Sequence, residues 1–274
     1  MTLSDNGSLA VRTWHGSEPG ALFVHATGFS KELWGPVIDA MGAAGESVAG
    51  VAFDQRGHGD SPPLAIPMDW SEIGTDVEQV AASTDPRPRI GVGHSSGGAA
   101  IAITAIAHRE AFDHLVLIEP IITPPPFERR ESDPMAAVAE GRRSSFHDRP
   151  TALAHFRSKG AFAGWVDDAI DAYVESGLRD GDSEVVLKCA PATEAEHYRS
   201  GWGHSTWDRL GDITCPVSLV VGAESTTHRG QYLDELTARF PEVELTVVPN
   251  TSHFIPMERP DVVAAAINRA RKRG

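Results

Sequence analysis

Residues 89–109, RIGVGHSSGGAAIAITAIAHR, join a short apolar strand to an apolar helix through Gly93–Gly97, which has the pattern G-x-S-x-G. In this strand–turn–helix setting the pattern is typical of a nucleophile elbow, a turn so tight that its neighbours must be small. We expect it to lift the Ser95 hydroxyl above the carboxyl edge of a sheet and to aim the Ser96 amide at a developing oxyanion. The alternatives are a glycine-rich turn without chemistry, or a phosphate loop, whose G-x-x-x-x-G-K-[ST] lysine is missing.

Other apolar runs predict a sheet around this segment. They are continuously apolar, as strands covered on both faces should be, and helical stretches separate them, which predicts a mainly parallel sheet in an α/β protein. The predicted strands are Ala21–His25, Ser47–Phe53, Arg89–Gly93, His114–Ile118, Pro216–Val221 and Val243–Val248.

The strand pattern is interrupted between Thr123 and about Leu210. The segment opens with Pro124-Pro125-Pro126, reads as helical, and holds three of the six tryptophans. A structureless connection of this length would be unusual, so we predict a helical cap at 123–210 over an α/β core formed by 1–122 and 211–274. The alternative is an ordinary run of core helices.

The charge balance limits the classes of partner. The chain has 24 Lys and Arg against 38 Asp and Glu, a net charge of −14. This argues against binding to nucleic acid or to an anionic membrane. Cys189 and Cys215 form neither a disulfide framework nor a zinc motif, and residues 1–16 show no secretory signal, so we expect a cytoplasmic protein. We find no clustered metal ligands and no nucleotide motif, and we expect no cofactor.

Three motifs in this order resemble those of the α/β-hydrolase superfamily. His25–Phe29 (HATGF) follows a strand and resembles the H-G-x-G segment of the oxyanion hole. Asp54–Ser61 (DQRGHGDS) resembles the D-x-R-G-x-G-x-S turn, and Gly93–Gly97 is the elbow. The resemblance covers most of the chain outside the predicted cap and implies the α/β-hydrolase fold.

The resemblance also implies roles for loop residues. Thr27 takes the oxyanion-hole position, with its backbone N–H beside that of Ser96. Ala26 stands where the family usually has glycine, which leaves the backbone less freedom. We expect His25 and the Asp54–Ser61 turn to be structural, and His58 to be a hydrogen-bonding residue of that turn.

The candidate base follows the last predicted strand. His253 lies in the loop PNTSHF at 249–254, before the amphipathic stretch Arg259–Arg269, and this resembles the family's histidine position. A serine hydroxyl is a poor nucleophile unless a neighbouring imidazole accepts its proton. We therefore predict that His253 is the base for Ser95.

Two residues compete for the role of the acid. The superfamily usually places an aspartate after the strand VSLVV, but there Ser225 stands at the expected position and Glu224 one residue before it. A second location in the superfamily is the end of the strand after the elbow, where this chain has Glu119. One helix and one strand separate Ser95 from Glu119, which would bring both to the same sheet edge. We assign Glu119, keep Glu224 as the alternative, and note that Glu119 could merely cap its loop.

These residues predict acyl transfer. The expected function is that of a serine hydrolase cleaving a small carboxylic ester or lactone through an acyl-enzyme on Ser95. A serine at the elbow argues against dehalogenase and epoxide-hydrolase chemistry, while the Glu119 placement resembles that of zearalenone-type lactonases. Alternatives are a carbon–carbon bond hydrolase, a cofactor-independent dioxygenase, and a non-catalytic ligand-binding receptor.

Aromatic residues near the predicted site suggest an apolar or aromatic substrate. The candidate substrate-binding residues are Phe29, Trp34, Trp165, Trp202 and Trp207. We expect Arg129-Arg130 and Arg142-Arg143 to lie on the solvated surface. The chain could also form a homodimer.

Overall fold

The computed structural model describes residues 9–273. Residues 1–8, on which part of the expected absence of a secretory signal rests, lie outside the described residues, as does Gly274. The first half of the core contains β1 (Val11–Trp14), β2 (Ser17–Val24), α1 (Gly35–Ala43), β3 (Val48–Phe53), α2 (Trp70–Ser83), β4 (Ile90–His94), α3 (Ser96–Ala107) and β5 (His114–Ile118). Next come α4 (Pro134–Glu140), β6 (Ser145–Phe146), α5 (Arg149–Arg157), α6 (Asp167–Gly177), β7 (Leu178–Asp180), β8 (Val185–Leu187), α7 (Pro191–Ser200) and α8 (Thr206–Arg209). The chain closes with β9 (Val217–Gly222), α9 (Gly230–Ala238), β10 (Val243–Val248), α10 (Ile255–Glu258) and α11 (Pro260–Arg273).

The central sheet has seven strands in the order β1-β3-β2-β4-β5-β9-β10. All neighbours pair in parallel except β1, which runs antiparallel to β3. The six predicted strands are confirmed, but the sequence analysis missed β1, because its four residues are partly exposed and form no apolar run. Since the other six strands are parallel, their carboxyl ends meet at one edge of the sheet.

Helices cover both faces of the sheet, as the continuously apolar strands predict. One face carries a core built with α2, α3, α8 and α9. The opposite face carries a second core built with α1 and α11. The sheet is therefore buried on both sides, and its carboxyl edge is left for loops and for residues 123–210.

Residues 123–210 combine helices with a small sheet. Strands β6, β8 and β7 pair antiparallel, a feature that the expectation of a purely helical cap did not include. These strands have only two or three residues each, too few to give a sequence pattern. Its apolar side chains form a third cluster, which we call the cap core, together with Leu33 and Met257 from outside the segment. The members from the segment are Phe146, Ala152, Phe156, Trp165, Ala169, Ile170, Tyr173, Val174, Leu178, Val185 and Leu187.

The end of this segment already belongs to the main core. Trp207 and Leu210 pack with the α2 and α3 side chains of the first core and not with the cap core. The chain therefore returns to the sheet slightly before residue 211.

The helices are those of a packed α/β protein. The apolar helix α3 has 12 residues, whereas about 20 are needed to cross a bilayer. Within residues 9–273, none of the helices combines the length and the apolar character that a membrane span requires.

Candidate active site

Ser95 occupies the turn between β4 and α3 in a strained conformation. Its φ of 55° and ψ of −114° are unusual for a residue with a side chain. Its N–H donates to the Ile118 carbonyl at 2.9 Å, and its carbonyl accepts from the Ile121 amide at 3.1 Å. These bonds to the segment around the end of β5 hold the turn, and they place Ser95 beside the residue that ends that strand.

The glycines of the elbow are required by close backbone approach. A Cβ at Gly93 would lie 2.4 Å from the Gly97 carbonyl oxygen, and a Cβ at Gly97 would lie 2.1 Å from the Val24 carbonyl oxygen. Any larger residue would push α3 away from β2 and β4. The sharp strand-to-helix turn therefore requires glycine at both ends of the G-x-S-x-G pattern.

We expect Gly97→Ala to lower the free energy of unfolding by about 1–3 kcal/mol or more, since the methyl group must displace backbone. Gly35→Ala is the matched control, because Gly35 opens α1 and a Cβ there would meet nothing within 4 Å. That variant should be neutral or slightly stabilised. Urea unfolding followed by circular dichroism measures both. Equal midpoints for Gly97→Ala and wild type would contradict this account of the turn.

Glu119 ends β5 and binds the predicted base. Its carboxylate is fully buried, its φ of 46° is also left-handed, and its Oε2 accepts from His253 Nδ1 at 3.0 Å. Because a carboxylate can only accept, Nδ1 carries the proton. The other ring nitrogen, Nε2, is then left as the proton acceptor, the tautomer that a general base for serine requires.

Further donors converge on the Glu119 carboxylate. The Gly222 amide donates to Oε1 at 2.8 Å, and the Ser225 hydroxyl donates to Oε2 at 2.8 Å. Burial alone would raise the pKa of Glu119, but the contacts with His228 and His253 outweigh it and hold the pKa well below its usual range. Glu119 is therefore ionised in the folded protein at neutral pH.

His253 is tied to the elbow through its backbone. His94, the residue before Ser95, donates from Nε2 to the His253 carbonyl at 2.9 Å, and the two rings lie 5.1 Å apart. Burial lowers the pKa of His94 to about 3, so this ring is a neutral structural donor. The His253 side chain itself is 31% exposed. The structure thus brings Ser95, Glu119 and His253 to one stretch of the sheet edge.

Glu224, the alternative acid, is exposed and lies on the loop after β9. Its backbone N–H donates to the Thr251 carbonyl at 3.0 Å, which supports the histidine loop. Ser225 stands where the superfamily's usual acid would be, and its hydroxyl contacts Glu119. Among the two candidates, the residue in contact with His253 is Glu119.

The loop after β2 carries the proposed oxyanion residue Thr27. Within residues 9–273, the structure assigns neither the Thr27 nor the Ser96 backbone N–H a hydrogen-bond acceptor. Gly28 adopts a φ of 82°, and its N–H donates to His58 Nε2 at 2.9 Å. Ala26 has no positive φ, so its Cβ adds no strain. Two backbone donors therefore remain available at the sheet edge.

Buried side chains of the 54–61 turn support this loop. The Gln55 backbone N–H donates to His25 Nε2 at 3.0 Å, and burial lowers the pKa values of His25 and His58 to about 3, so both rings are neutral. The Asp54 carboxylate accepts from Lys31 Nζ at 2.7 Å and from the Lys31 amide at 2.8 Å. The turn is structural, and His58 acts as a hydrogen-bonding residue, as its sequence context indicates.

Phe29 and Trp165 meet above the site. Their ring centroids are 5.5 Å apart in an edge-to-face arrangement, and Tyr173 and Phe254 complete the group. Phe29 also lies 6.2 Å from His94, and Phe254 follows His253 in the chain. The cap core therefore packs directly against two loops: the loop after β2, which carries Thr27 and which we call the oxyanion loop, and the loop at 249–254, which carries His253 and which we call the histidine loop.

The other three tryptophans lie elsewhere, which corrects the expectation that they line the site. Trp34 is buried against Phe23 in the core of the second face. Trp207 is buried in the first core and stacks on Tyr232. Trp202 lies beneath the Arg130 guanidinium, 3.2 Å from the ring centroid. Large apolar rings such as these pack wherever area can be buried, and their position cannot be read from type alone.

Arg142 is not on the solvated surface, contrary to the expectation from its dipeptide. Its guanidinium pairs with Glu194 and donates to the Tyr173 hydroxyl at 2.7 Å. A Cβ at Gly28 would lie 3.3 Å from the Glu194 carboxylate, so this pair sits against the oxyanion loop. Neutralisation by Glu194 makes its partial burial tolerable.

One group within residues 9–273 has the donor types of a metal site. Ligand atoms of Glu119, His228 and His253 lie within 4.8 Å of one another. The two Nδ1 atoms both approach the same carboxylate oxygen, at 2.8 and 3.0 Å. Separations of 2.8 and 3.0 Å are those of N–H···O hydrogen bonds.

Sequence reasoning missed His228. It follows β9 by six residues in a loop without a recognisable motif, and twelve histidines in the chain make any single one uninformative. The available signal was Ser225 at the position of the superfamily's usual acid. When the acid is supplied from another strand, the residues that surround its carboxylate must differ as well.

Together, the fold and the site define an α/β protein with a serine, a histidine and a buried acid at the carboxyl edge of its sheet. Residues 21–266 match the model of the Alpha/beta hydrolase family, and the chain belongs to this family. The resemblance inferred from the three motifs is confirmed.

Similar proteins include esterases and other hydrolases. Esterase YbfF of Escherichia coli (strain K12) is 27% identical over 222 residues, which are 80% of this chain and 81% of that protein. The 2-(acetamidomethylene)succinate hydrolase of Mesorhizobium japonicum is 24% identical over 252 residues, 92% of this chain and 87% of that protein. The peroxisomal alpha-beta-hydrolase Lpx1 of Saccharomyces cerevisiae superposes with a TM-score of 0.77 at 22% identity, covering 91% of this chain and 75% of Lpx1. The esterase and the succinate hydrolase support hydrolase activity, and the likeness to Lpx1 shows the fold.

Proposed function

We propose that the protein is a serine hydrolase that cleaves a small carboxylic ester or lactone through an acyl-enzyme on Ser95. The single observation that carries the proposal is the 3.0 Å hydrogen bond between buried Glu119 and His253, at the sheet edge where the elbow presents Ser95. Such an acid orients the imidazole and stabilises its protonated form during the reaction. The E. coli relative, named as an esterase, agrees with this reading.

The proposed mechanism gives each of these groups one role. Ser95 Oγ attacks the substrate carbonyl while His253 Nε2 accepts its proton, and the imidazolium is stabilised by Glu119. The Thr27 and Ser96 amides donate to the oxyanion, and one such donor is worth roughly 2.7–4 kcal/mol in transition-state stabilisation. His253 then protonates the leaving alcohol. A water molecule, deprotonated by His253, cleaves the acyl-enzyme and regenerates Ser95.

The substrate side of the proposal rests on the cap core. Phe29 and Trp165 lie between the oxyanion loop and the cap, where an acyl or alcohol group would enter. Aromatic walls favour an apolar or aromatic substituent next to the scissile bond. We therefore include these two residues, and not Trp34, Trp202 or Trp207, in the proposed substrate site.

Two measurements on the purified protein test this function. We expect turnover of short-chain p-nitrophenyl esters together with covalent labelling of Ser95 by a fluorophosphonate, located by peptide mass spectrometry. The control is Ser83→Ala, which changes an exposed hydroxyl at the end of α2 and should leave turnover and labelling unchanged. Absence of both turnover and label would overturn the proposal in favour of a binding role. Turnover that requires oxygen would favour dioxygenase chemistry.

A further inference from the structure

The imidazole of His58 joins the 54–61 turn to the oxyanion loop. Its Nε2 accepts the Gly28 N–H at 2.9 Å, and its Nδ1 lies 3.1 Å from the Arg56 carbonyl oxygen of its own turn. Because a backbone N–H can only donate and a carbonyl oxygen can only accept, the ring carries its proton on Nδ1. His58 is 1% exposed, and burial lowers its pKa to about 3, which agrees with a neutral ring. The proposed mechanism does not use this side chain.

His25 makes the reciprocal connection, from the oxyanion loop to the turn. Its Nε2 accepts the Gln55 N–H at 3.0 Å, while its Nδ1 lies 2.8 Å from the Ala26 carbonyl oxygen. These partners again require a neutral ring with its proton on Nδ1, and burial lowers the pKa of His25 to about 3. Two neutral imidazoles, 5.3 Å apart, therefore fasten the loop and the turn to each other, each by accepting one backbone N–H from the other segment.

The bond from Gly28 to His58 lies in a backbone turn that contains the proposed oxyanion donor. Residues 26–29 form a β-turn, in which the Phe29 N–H donates to the Ala26 carbonyl at 3.2 Å and Gly28, the third residue, has a φ of 82°. A positive φ at the third residue is that of a type II turn, and flipping the central peptide would give the type I turn instead. The N–H of that central peptide is the one that His58 accepts, so His58 selects between the two turns.

A third buried imidazole, from the cap, packs against the His58 ring. His197 of α7 meets it edge-to-face, with the ring centroids 4.8 Å apart. His197 is 2% exposed, and within residues 9–273 neither of its ring nitrogens has a hydrogen-bond partner. Its contact with His58 is therefore one of packing, which helps to hold the acceptor nitrogen of His58 toward Gly28.

We propose that His58 is a positioning residue of the oxyanion hole, which fixes the peptide between Thr27 and Gly28 and so keeps the Thr27 N–H aimed at the developing oxyanion. This rests on the proposed function for the role of Thr27, whereas the turn held by His58 stands on its own contacts. A misplacement of about 1 Å can lower a catalytic rate about 100-fold. Because His58 is buried and both its nitrogens contact backbone, it acts through Gly28 and not on the substrate, so kcat should depend on it more than KM.

The first test compares two substitutions of His58. His58→Gln keeps a side-chain oxygen that can accept the Gly28 N–H, whereas His58→Met has no strong acceptor. For a p-nitrophenyl ester we expect His58→Met to lower kcat about 10- to 100-fold with KM within about twofold of wild type, and His58→Gln to retain about a third or more of the wild-type kcat. An unchanged kcat in His58→Met, or equal losses in the two variants, would overturn the proposal.

His114→Met is the matched control for the loss of a buried imidazole. His114 is 3% exposed, contacts the Ser218 hydroxyl at 3.0 Å, and begins β5 at the end of the strand remote from Ser95. This variant should lower the urea midpoint of unfolding and leave kcat within about twofold of wild type. A loss of kcat as large as that of His58→Met would show that the two histidines act only through stability, which contradicts a positioning role.

The second test needs no turnover. In wild-type protein labelled with ¹⁵N-histidine, we expect His58 to show the Nδ1–H tautomer at pH 7, with its signals assigned by their loss in His58→Gln. Exchange of the Gly28 amide with solvent should be at least about tenfold faster in His58→Met than in wild type or His58→Gln.

A His58 ring that is charged or protonated on Nε2 at pH 7 would overturn the proposal, whether or not the protein is a hydrolase, because Nε2 could not then accept from Gly28. Unchanged Gly28 exchange in His58→Met would overturn it as well. If the expected tautomer is found in protein that neither hydrolyses esters nor is labelled on Ser95, the proposed function is rejected, and the catalytic role of His58 with it, while the turn held by His58 stands.

Discussion

Ser95→Ala lowers kcat for ester hydrolysis by at least about 10⁴-fold in our expectation, because no other group can form the acyl-enzyme. Alanine fits the elbow as well as serine does, since the strain at φ 55° belongs to the backbone and the Ser95 side chain is not needed for the hydrogen bonds that hold the turn. Steady-state kinetics on a p-nitrophenyl ester, with loss of fluorophosphonate labelling, measure the effect.

The result shows whether Ser95 is the nucleophile. Ser83→Ala again serves as the control and should stay within about twofold of wild type, as surface changes away from special features usually do. Retention of more than a tenth of the wild-type kcat by Ser95→Ala would show that hydrolysis does not proceed through this serine. Unchanged urea unfolding would show that any loss is chemical.

Glu119→Gln should lower kcat by about 10⁴-fold, the size of effect that an amide in place of the acid produces in a serine triad. The amide group removes the negative charge that stabilises protonated His253. It can also donate toward Nδ1, which favours the tautomer with the proton on the wrong nitrogen. With the amide oxygen at the Oε1 position, the hydrogen bond from Gly222 is kept, and the Ser225 hydroxyl can turn to accept from the new NH2 group, so the loop has a route to remain folded.

Glu224→Gln is the matched control for the acid. It makes the same chemical change on the exposed loop after β9, where the side chain of Glu224 does not reach His253, and activity should stay within about twofold of wild type. An inactive Glu224→Gln beside a nearly fully active Glu119→Gln would reverse the assignment. Circular dichroism and unfolding midpoints of both variants check that the fold survives.

The elbow, the oxyanion loop and the parallel sheet were readable from the chain because each rests on contiguous residues. Gly93 and Gly97 flank Ser95 for a local steric reason, the missing room for a Cβ. The strands are continuously apolar because both faces are covered, and this property is visible residue by residue. Chain order alone then predicted that His253 lies at the carboxyl edge of the sheet, where its ring contacts Glu119.

The hydrogen-bond partners of Glu119 are visible only in the tertiary structure. Its bond to His253 joins residues 134 positions apart, and its contact with Ser225 joins residues 106 positions apart. Sequence patterns carry no register for such distant pairs, so only the placement of the loops after β5, β9 and β10 shows that Glu119 is the one of the two candidates that contacts His253. The same holds for His228, whose loop has no motif.

The limit of prediction from sequence is clearest for the aromatic residues in and around residues 123–210. Their aromatic rings could be assigned to the site or to a core with equal chemical reason, since both bury apolar surface. Folding packed Phe29 against Trp165 in the cap core, placed Trp34 and Trp207 in the two main cores, and placed Trp202 beneath an arginine. Local sequence thus predicted which residues are candidates for the chemistry, whereas long-range packing determined which of them are in contact, because contact between distant residues depends on the path of the whole chain.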